Sequence, residues 1–126
     1  EATLPRVASQ FGETVGDLML AGPTSFEDAD CQSLIAIFGE HPECPGIVLL
    51  NVRAHPVRIA VRDGARGVLS RIPMTVLDTT DPLEALLRAM TRPLVNRFDP
   101  LVCCDNSGVY RGILLIEQLV QRLARN

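Results

Sequence analysis

Lysine is absent from the 126 residues, and all 12 basic side chains are arginines. Without a lysine there is no Schiff-base amine and no phosphate-gripping lysine of a P-loop, so two large reaction classes fall away. Long apolar runs are missing as well. The apolar stretches are short strands and helix faces, well under the roughly 20 residues that span a bilayer, and no cleavable signal is expected before them. The expectation is a cytoplasmic protein with no membrane partner. Gly-x-Ser-x-Gly, His-Glu-x-x-His and glycine-rich phosphate loops do not occur. Nor is there an excess of positive charge: the formal net charge is −3, which gives nucleic acid no strong attraction. Nucleic acid is therefore not expected as a partner.

Metal spacing is lacking too. Cys31 and Cys44 fall in a helix and a loop, while Cys103 and Cys104 are neighbours that point to opposite faces of a strand. Buried, reduced thiols are the expectation. His41 and His55 each precede a proline in a loop and read as surface histidines. The acidic group Glu27, Asp28 and Asp30 reads as a helix N-terminus answering the macrodipole.

What the chain does have is a duplication. Shifting the sequence by 54 positions lays Gly46-Ile47-Val48-Leu49-Leu50-Asn51 on Pro100-Leu101-Val102-Cys103-Cys104-Asp105, and Arg58-Ile59-Ala60-Val61 on Gly112-Ile113-Leu114-Leu115. Two pseudo-equivalent halves with a cleft between them follow. Hydrophobic content of 47% with 21% charged residues argues for one well-packed unit. A chain that starts at Glu1 is expected to be a segment of a longer protein, or the product of processing or of recombinant expression.

Thr14-Val15-Gly16-Asp17 has the spacing of a capping box and predicts a short helix through about Leu20. A second helix is expected over roughly Ala29 to Gly39, with Cys31, Leu34, Ile35 and Phe38 as its core face. Ile47 to Leu50 reads as a strand buried on both faces. After a turn at Asn51 to His55, the alternation from Pro56 predicts a half-exposed strand with Val57, Ile59 and Val61 inward. Asp63 to Arg71 is a weak helix candidate, diluted by Gly64 and Gly67.

The second half restarts with a strand at Met74 to Leu77. Asp81-Pro82-Leu83-Glu84 then supplies an N-cap, a proline at the first helical position and an acidic residue, opening a helix whose stripe is Leu83, Leu86, Leu87 and Met90. The two helices align with an offset of 52, which implies a two-residue indel. Leu101 to Cys104 and Val109 to Ile116 are expected strands joined by the turn Asp105-Asn106-Ser107-Gly108, and Ile116, Leu119, Val120 and Leu123 line a last helix. The chain thus divides into a lead-in over 1–13, a first motif over 14–72 and a second over 73–126.

Strand, helix, hairpin and helix given twice resembles a CBS domain pair, or Bateman module. The second half carries the wording: Pro73-Met74-x-Val76 leading to Pro82-Leu83-Glu84-Ala85, then Pro100-Leu101-Val102-Cys103-Cys104-Asp105-x-x-Gly108 and Gly112-Ile113-Leu114. The segment Arg92-Pro93 to Phe98-Asp99, with Gly108-Val109-Tyr110-Arg111-Gly112, is most similar to the pairs fused to bacterial GGDEF and EAL cyclic-di-GMP signalling domains. The resemblance spans Thr14 to Arg125 and is closer in the second half.

It implies an α/β fold of tandem β-α-β-β-α repeats, with two small sheets related by a pseudo-twofold axis. It further implies a non-catalytic regulatory module that binds a small ligand, such as an adenine nucleotide, in the inter-motif cleft. A homodimer is implied, with an adjacent GGDEF or EAL domain as effector. The last helix, through Leu119, Val120 and Leu123, and the helix after Asp63 are the expected dimer surfaces.

In nucleotide-binding members of the family a Gly-x-x-(Ser/Thr)-x-x-Asp run ends the second hairpin strand; its hydroxyl meets phosphate or ribose and its Asp the ribose hydroxyls. Here the hydroxyl position is Leu115 and the Asp position Gln118; in the first half they are Val61 and Gly64, and the glycine is Arg58. Gln118 can still hydrogen-bond a ribose, and Arg58, Arg62 and Arg111 can meet phosphate through the guanidinium fork. Thr75, by resemblance, sits beside a bound base. The candidate ligand set is therefore Thr75, Arg58, Arg62, Arg111, Leu115 and Gln118. The missing hydroxyl and carboxylate equally fit a purely structural dimerisation module. An enzyme has almost no support in the residues.

Overall fold

The computed structural model describes residues 13–64 and 67–124. The expected lead-in before residue 13 and the chain end at 125–126 lie outside the described residues. Helix α1 (Val15–Leu18) is followed by β1 (Thr24–Phe26), α2 (Cys31–Glu40), β2 (Ile47–Leu50), β3 (Pro56–Asp63) and β4 (Gly67–Arg71). The second half runs β5 (Thr75–Leu77), α3 (Pro82–Ala89), a 3-10 turn (Leu94–Asn96), β6 (Leu101–Cys104), β7 (Tyr110–Leu114) and α4 (Ile116–Ala124). Among the described residues no helix is long and apolar enough to cross a membrane.

Two mixed sheets result, ordered β1-β2-β3-β4 and β5-β6-β7. In each, the first strand is parallel to the second and a hairpin supplies the third. The duplication is visible in single hydrogen bonds. Glu27 N–H donates to Leu50 O at 2.9 Å and Asp78 N–H to Cys104 O at 2.8 Å; Ala29 donates to Phe26 O and Thr80 to Leu77 O, both at 3.0 Å. The helix caps repeat as well: Asp30 accepts from Ser33 N–H and Asp81 from Glu84 N–H.

These pairs fix the helix offset at 51, so the expected offset of 52 is corrected by one residue. At 51, buried Leu34 and Phe38 of α2 correspond to buried Ala85 and Ala89 of α3. The expected stripes were each partly misplaced. Leu34 and Phe38 face the core, but Cys31 and Ile35 are exposed; on α3 it is the alanines that are sealed, while Leu87 stands 58% exposed. The leucines outbid the alanines in a hydrophobicity pattern, yet the helix lies close enough to its sheet that only small side chains fit beneath it.

The sheets meet face to face through Val48, Ile59 and Val61 of the first half and Val102, Cys104 and Ile113 of the second. The outer face of the second sheet is covered by α1, α3 and α4, with Val15, Ala85, Ala89, Ile116 and Leu119 in one core. Among the described residues, the outer face of the first carries α2 alone, through Leu34 and Phe38. Although α1 begins the first-half sequence, it packs on the second half: Gly16 N–H donates to Asp78 O at 2.8 Å, and Leu20 bridges Ile113.

Two expectations change in the first half. The segment after Asp63 is a strand, β4, antiparallel to β3, where a helix was expected. Asp63-Gly64 is a turn dipeptide between alternating runs, Gly67 adopts φ +86, and Val68 and Leu69 pack into different cores, which is the period of a strand. The dimer surface expected there as a helix therefore does not exist as one. Secondly, β3 is buried on both faces at Ile59, Ala60 and Val61, because α2 covers the Ala60 side; only Arg58 and Arg62 emerge. On α4, Leu119 is fully buried in its own half and Val120 is exposed.

Candidate functional site

Beside β5 opens a groove of about 1330 Å³. Thr75, Val76 and Leu77 form its strand wall, while Leu83, Glu84, Leu87 and Arg88 of α3, with Thr91 just past its end, form the helix wall. The strand wall alternates, so Val76 points into the core under α3 while Thr75 and Leu77 sit on the face turned to the first half. The hairpin tips close the end. Asp105 Oδ1 accepts from Ser107 N–H at 2.8 Å and Val109 N–H at 3.0 Å, and Asn51 Oδ1 accepts from Arg53 and His55 in the same pattern at 2.9 and 3.0 Å.

The first-half tip reaches across to the second. Tyr110 N–H donates to Ala54 O at 2.9 Å, and the His55 ring lies so close to Gly108 that an added Cβ would sit 3.4 Å from it. His55 and Pro56 thereby line a groove otherwise made by the second half. Sequence reasoning placed His55 on the surface; its role depends on a contact 53 residues away, which no local pattern announces. The equivalent space beside β1 is only about 270 Å³. There Phe26 stands at the position of Leu77, and Gln32 and Ala36 at those of Leu83 and Leu87.

Carboxylates outnumber cations along the groove. Asp81, Glu84 and Asp105 face Arg88, which is already 3.7 Å from Glu84 in an exposed pair. Asp81 uses one oxygen to cap α3, and its Oδ1 is buried without a hydrogen-bond partner. Cys104 reaches the lining, but burial first, then Asp105 and Asp78, raise its thiol pKa. It stays protonated at neutral pH and is a poor nucleophile.

Of the residues singled out by sequence, Thr75 lines the groove and is exposed. Arg111 is not among the groove's lining residues; it is bound to Asp78 Oδ2 at 2.8 Å, just past the end of β5 opposite to Thr75. Arg58 and Arg62 lie elsewhere, on the helix side of the first sheet. Arg58 donates to the Ser70 hydroxyl; Arg62 stacks on Phe38 at 4.3 Å and donates to the carbonyls of Cys44, His41 and Phe38, tying down the end of α2. Leu115 and Gln118 form the head of α4, where Gln118 Oε1 accepts from Leu115 N–H at 3.5 Å. The six do not converge on one point.

No protein-family model matches the chain, and no curated protein sequence matches it. Solved structures do. CBSX2 from Arabidopsis thaliana, a CBS-pair protein, superposes with a TM-score of 0.69 at 17% identity, over 90% of this chain and 98% of that one. CBSX2 in complex with AMP gives 0.66 at 18% identity, again over 90% and 98%. The CBS domain of the bacterial CNNM/CorC family Mg2+ transporter in complex with ATP gives 0.66 at 16%, over 90% of this chain and 88% of that one.

Proposed function

We infer the function from a fold that is that of a CBS domain pair, two small mixed sheets packed face to face with helices outside. We propose that this chain is a non-catalytic regulatory module that binds an adenine nucleotide on the inner side of the groove and passes its state to an attached or partner effector, for which a GGDEF or EAL domain is the candidate. The observation that carries the reading is that both halves build the groove, through the His55–Gly108 contact. A ligand wedged there prefers one spacing of the halves and shifts the population toward it. That similar folds are seen with AMP and with ATP supports the ligand class.

In this scheme the base lies against Leu77 and Pro56, with Thr75 and Asn106 as hydrogen-bonding groups. Phosphate draws Arg111 from Asp78. Because the Asp78 carbonyl also anchors Gly16 of α1, that exchange reaches the N-terminal side of the module. Arg58, Arg62, Leu115 and Gln118 take no direct part. Two copies pair through the exposed Val120 face of α4, and the setting is cytoplasmic.

A second reading is favoured by a specific observation: Arg62 and Arg111 are both spent on the protein's own acceptors, which suits a structural dimerisation module. Calorimetric titration with AMP, ATP, S-adenosylmethionine and cyclic-di-GMP separates the two. Saturable heat with AMP or ATP, weakened at least ten-fold by Thr75→Trp, is the expected result. Silence from all four leaves the structural reading.

A further inference from the structure

We infer that the outer side of the groove, between the free edge of β5 and the α3 face carrying Leu83 and Leu87, takes an extended peptide that adds as a strand to the second sheet and carries basic side chains.

The edge comes first. β5 is the outermost strand of its sheet, and among the described residues no strand pairs with its far side, where the Leu77 carbonyl already accepts from Thr80 N–H at 3.0 Å and the Thr75 groups are the ones left for a partner. Val102 N–H donates to Met74 O at 3.0 Å and Asp78 N–H to Cys104 O at 2.8 Å, which turns the even-numbered backbone groups toward β6. By alternation the N–H and C=O of Thr75 face outward, the row an added strand would use. A helix flanks this edge. Its Leu87 is 58% exposed and Leu77 on the strand 46%, so apolar side chains stand on both sides of the open backbone.

Nothing in the fold demands that apolar flank, because the equivalent positions of α2 are Gln32 and Ala36. The extra space is also specific to this half: about 1330 Å³ against about 270 Å³ beside β1. It exceeds what a small ligand fills, roughly 300 to 1,000 Å³. Charge then selects the peptide. Asp81 and Glu84 on the helix side, with Asp105 at the end, outweigh Arg88. An extended peptide alternating apolar with arginine or lysine residues matches all of these features, in the manner of strand addition to an open edge.

Fluorescence anisotropy with a short labelled peptide alternating valine and arginine, without nucleotide present, tests the inference independently of the nucleotide reading. Saturable binding is expected, weakened at least ten-fold by Leu87→Arg and by Glu84→Arg, both exposed positions whose variants should unfold at the parent temperature. The same peptide N-methylated along its backbone should lose binding to a similar extent, as should a valine–glutamate version. No saturable binding overturns the inference. So does equal binding of the N-methylated peptide, which would mark mere charge attraction, or indifference to Leu87→Arg.

Discussion

Burial sorts the four cysteines more sharply than spacing does. Cys44, Cys103 and Cys104 are buried, as expected, whereas Cys31 is exposed at the start of α2, contrary to the expectation for all four. Burial, with Cys104 and Asp78 nearby, pushes the Cys103 thiol pKa up to about 12. Since alkylation requires thiolate, a raised pKa keeps this thiol inert from neutral pH to well above 8. Iodoacetamide on the native protein is therefore expected to add one label, at Cys31, and none to Cys31→Ser. Mass spectrometry showing early labelling of Cys103 would contradict the burial described here. Arg92 is the other residue whose role sequence could not show. It is 8% exposed and donates to the carbonyls of Ala89, Arg97 and Asp99, which shapes the segment after α3 from within.

At the scale of elements, the two hairpin tips are a natural comparison. Ala54 and Gly108 are pseudo-equivalent and both adopt positive φ, +63 and +84, but only one is glycine. A left-handed alanine is strained, so Ala54→Gly is expected to stabilise by about 1 kcal/mol and Gly108→Ala to destabilise by at least about as much. Urea unfolding measures both; equal midpoints for Ala54→Gly and parent would deny the strain. The same tips explain what was legible in sequence. Asn51 and Asp105 carry side-chain signals for their turns, the apolar runs of β2 and β6 announce buried strands, and Asp81-Pro82 announces α3. These signals are local. The rotation of α3 was not, because it depends on how closely the helix approaches the sheet. β4 was obscured by weak helix propensity around a turn that Asp63-Gly64 did announce.

For the molecule as a whole, the repeat was readable as a 54-residue echo, and the sheet-to-sheet packing follows from strands that are apolar on both faces. A cleft between the halves was expected from the repeat, but of the candidate ligand residues only Thr75 lines the groove. It is made by a first-half tip touching a second-half tip and by leucines that a pattern assigns to the core. Its two sides invite different occupants, a nucleotide inward and a peptide outward. The most direct measurement is the amide spectrum of the isotopically labelled chain during titration with AMP and then ATP. Shifts centred on His55, Thr75, Leu77 and Asn106, extending through Asp78 to Gly16, are predicted. An unchanged spectrum at saturating concentrations of both, or shifts confined to Arg58, Arg62 and the outer face of the first sheet, would contradict a nucleotide-responsive cleft between the halves.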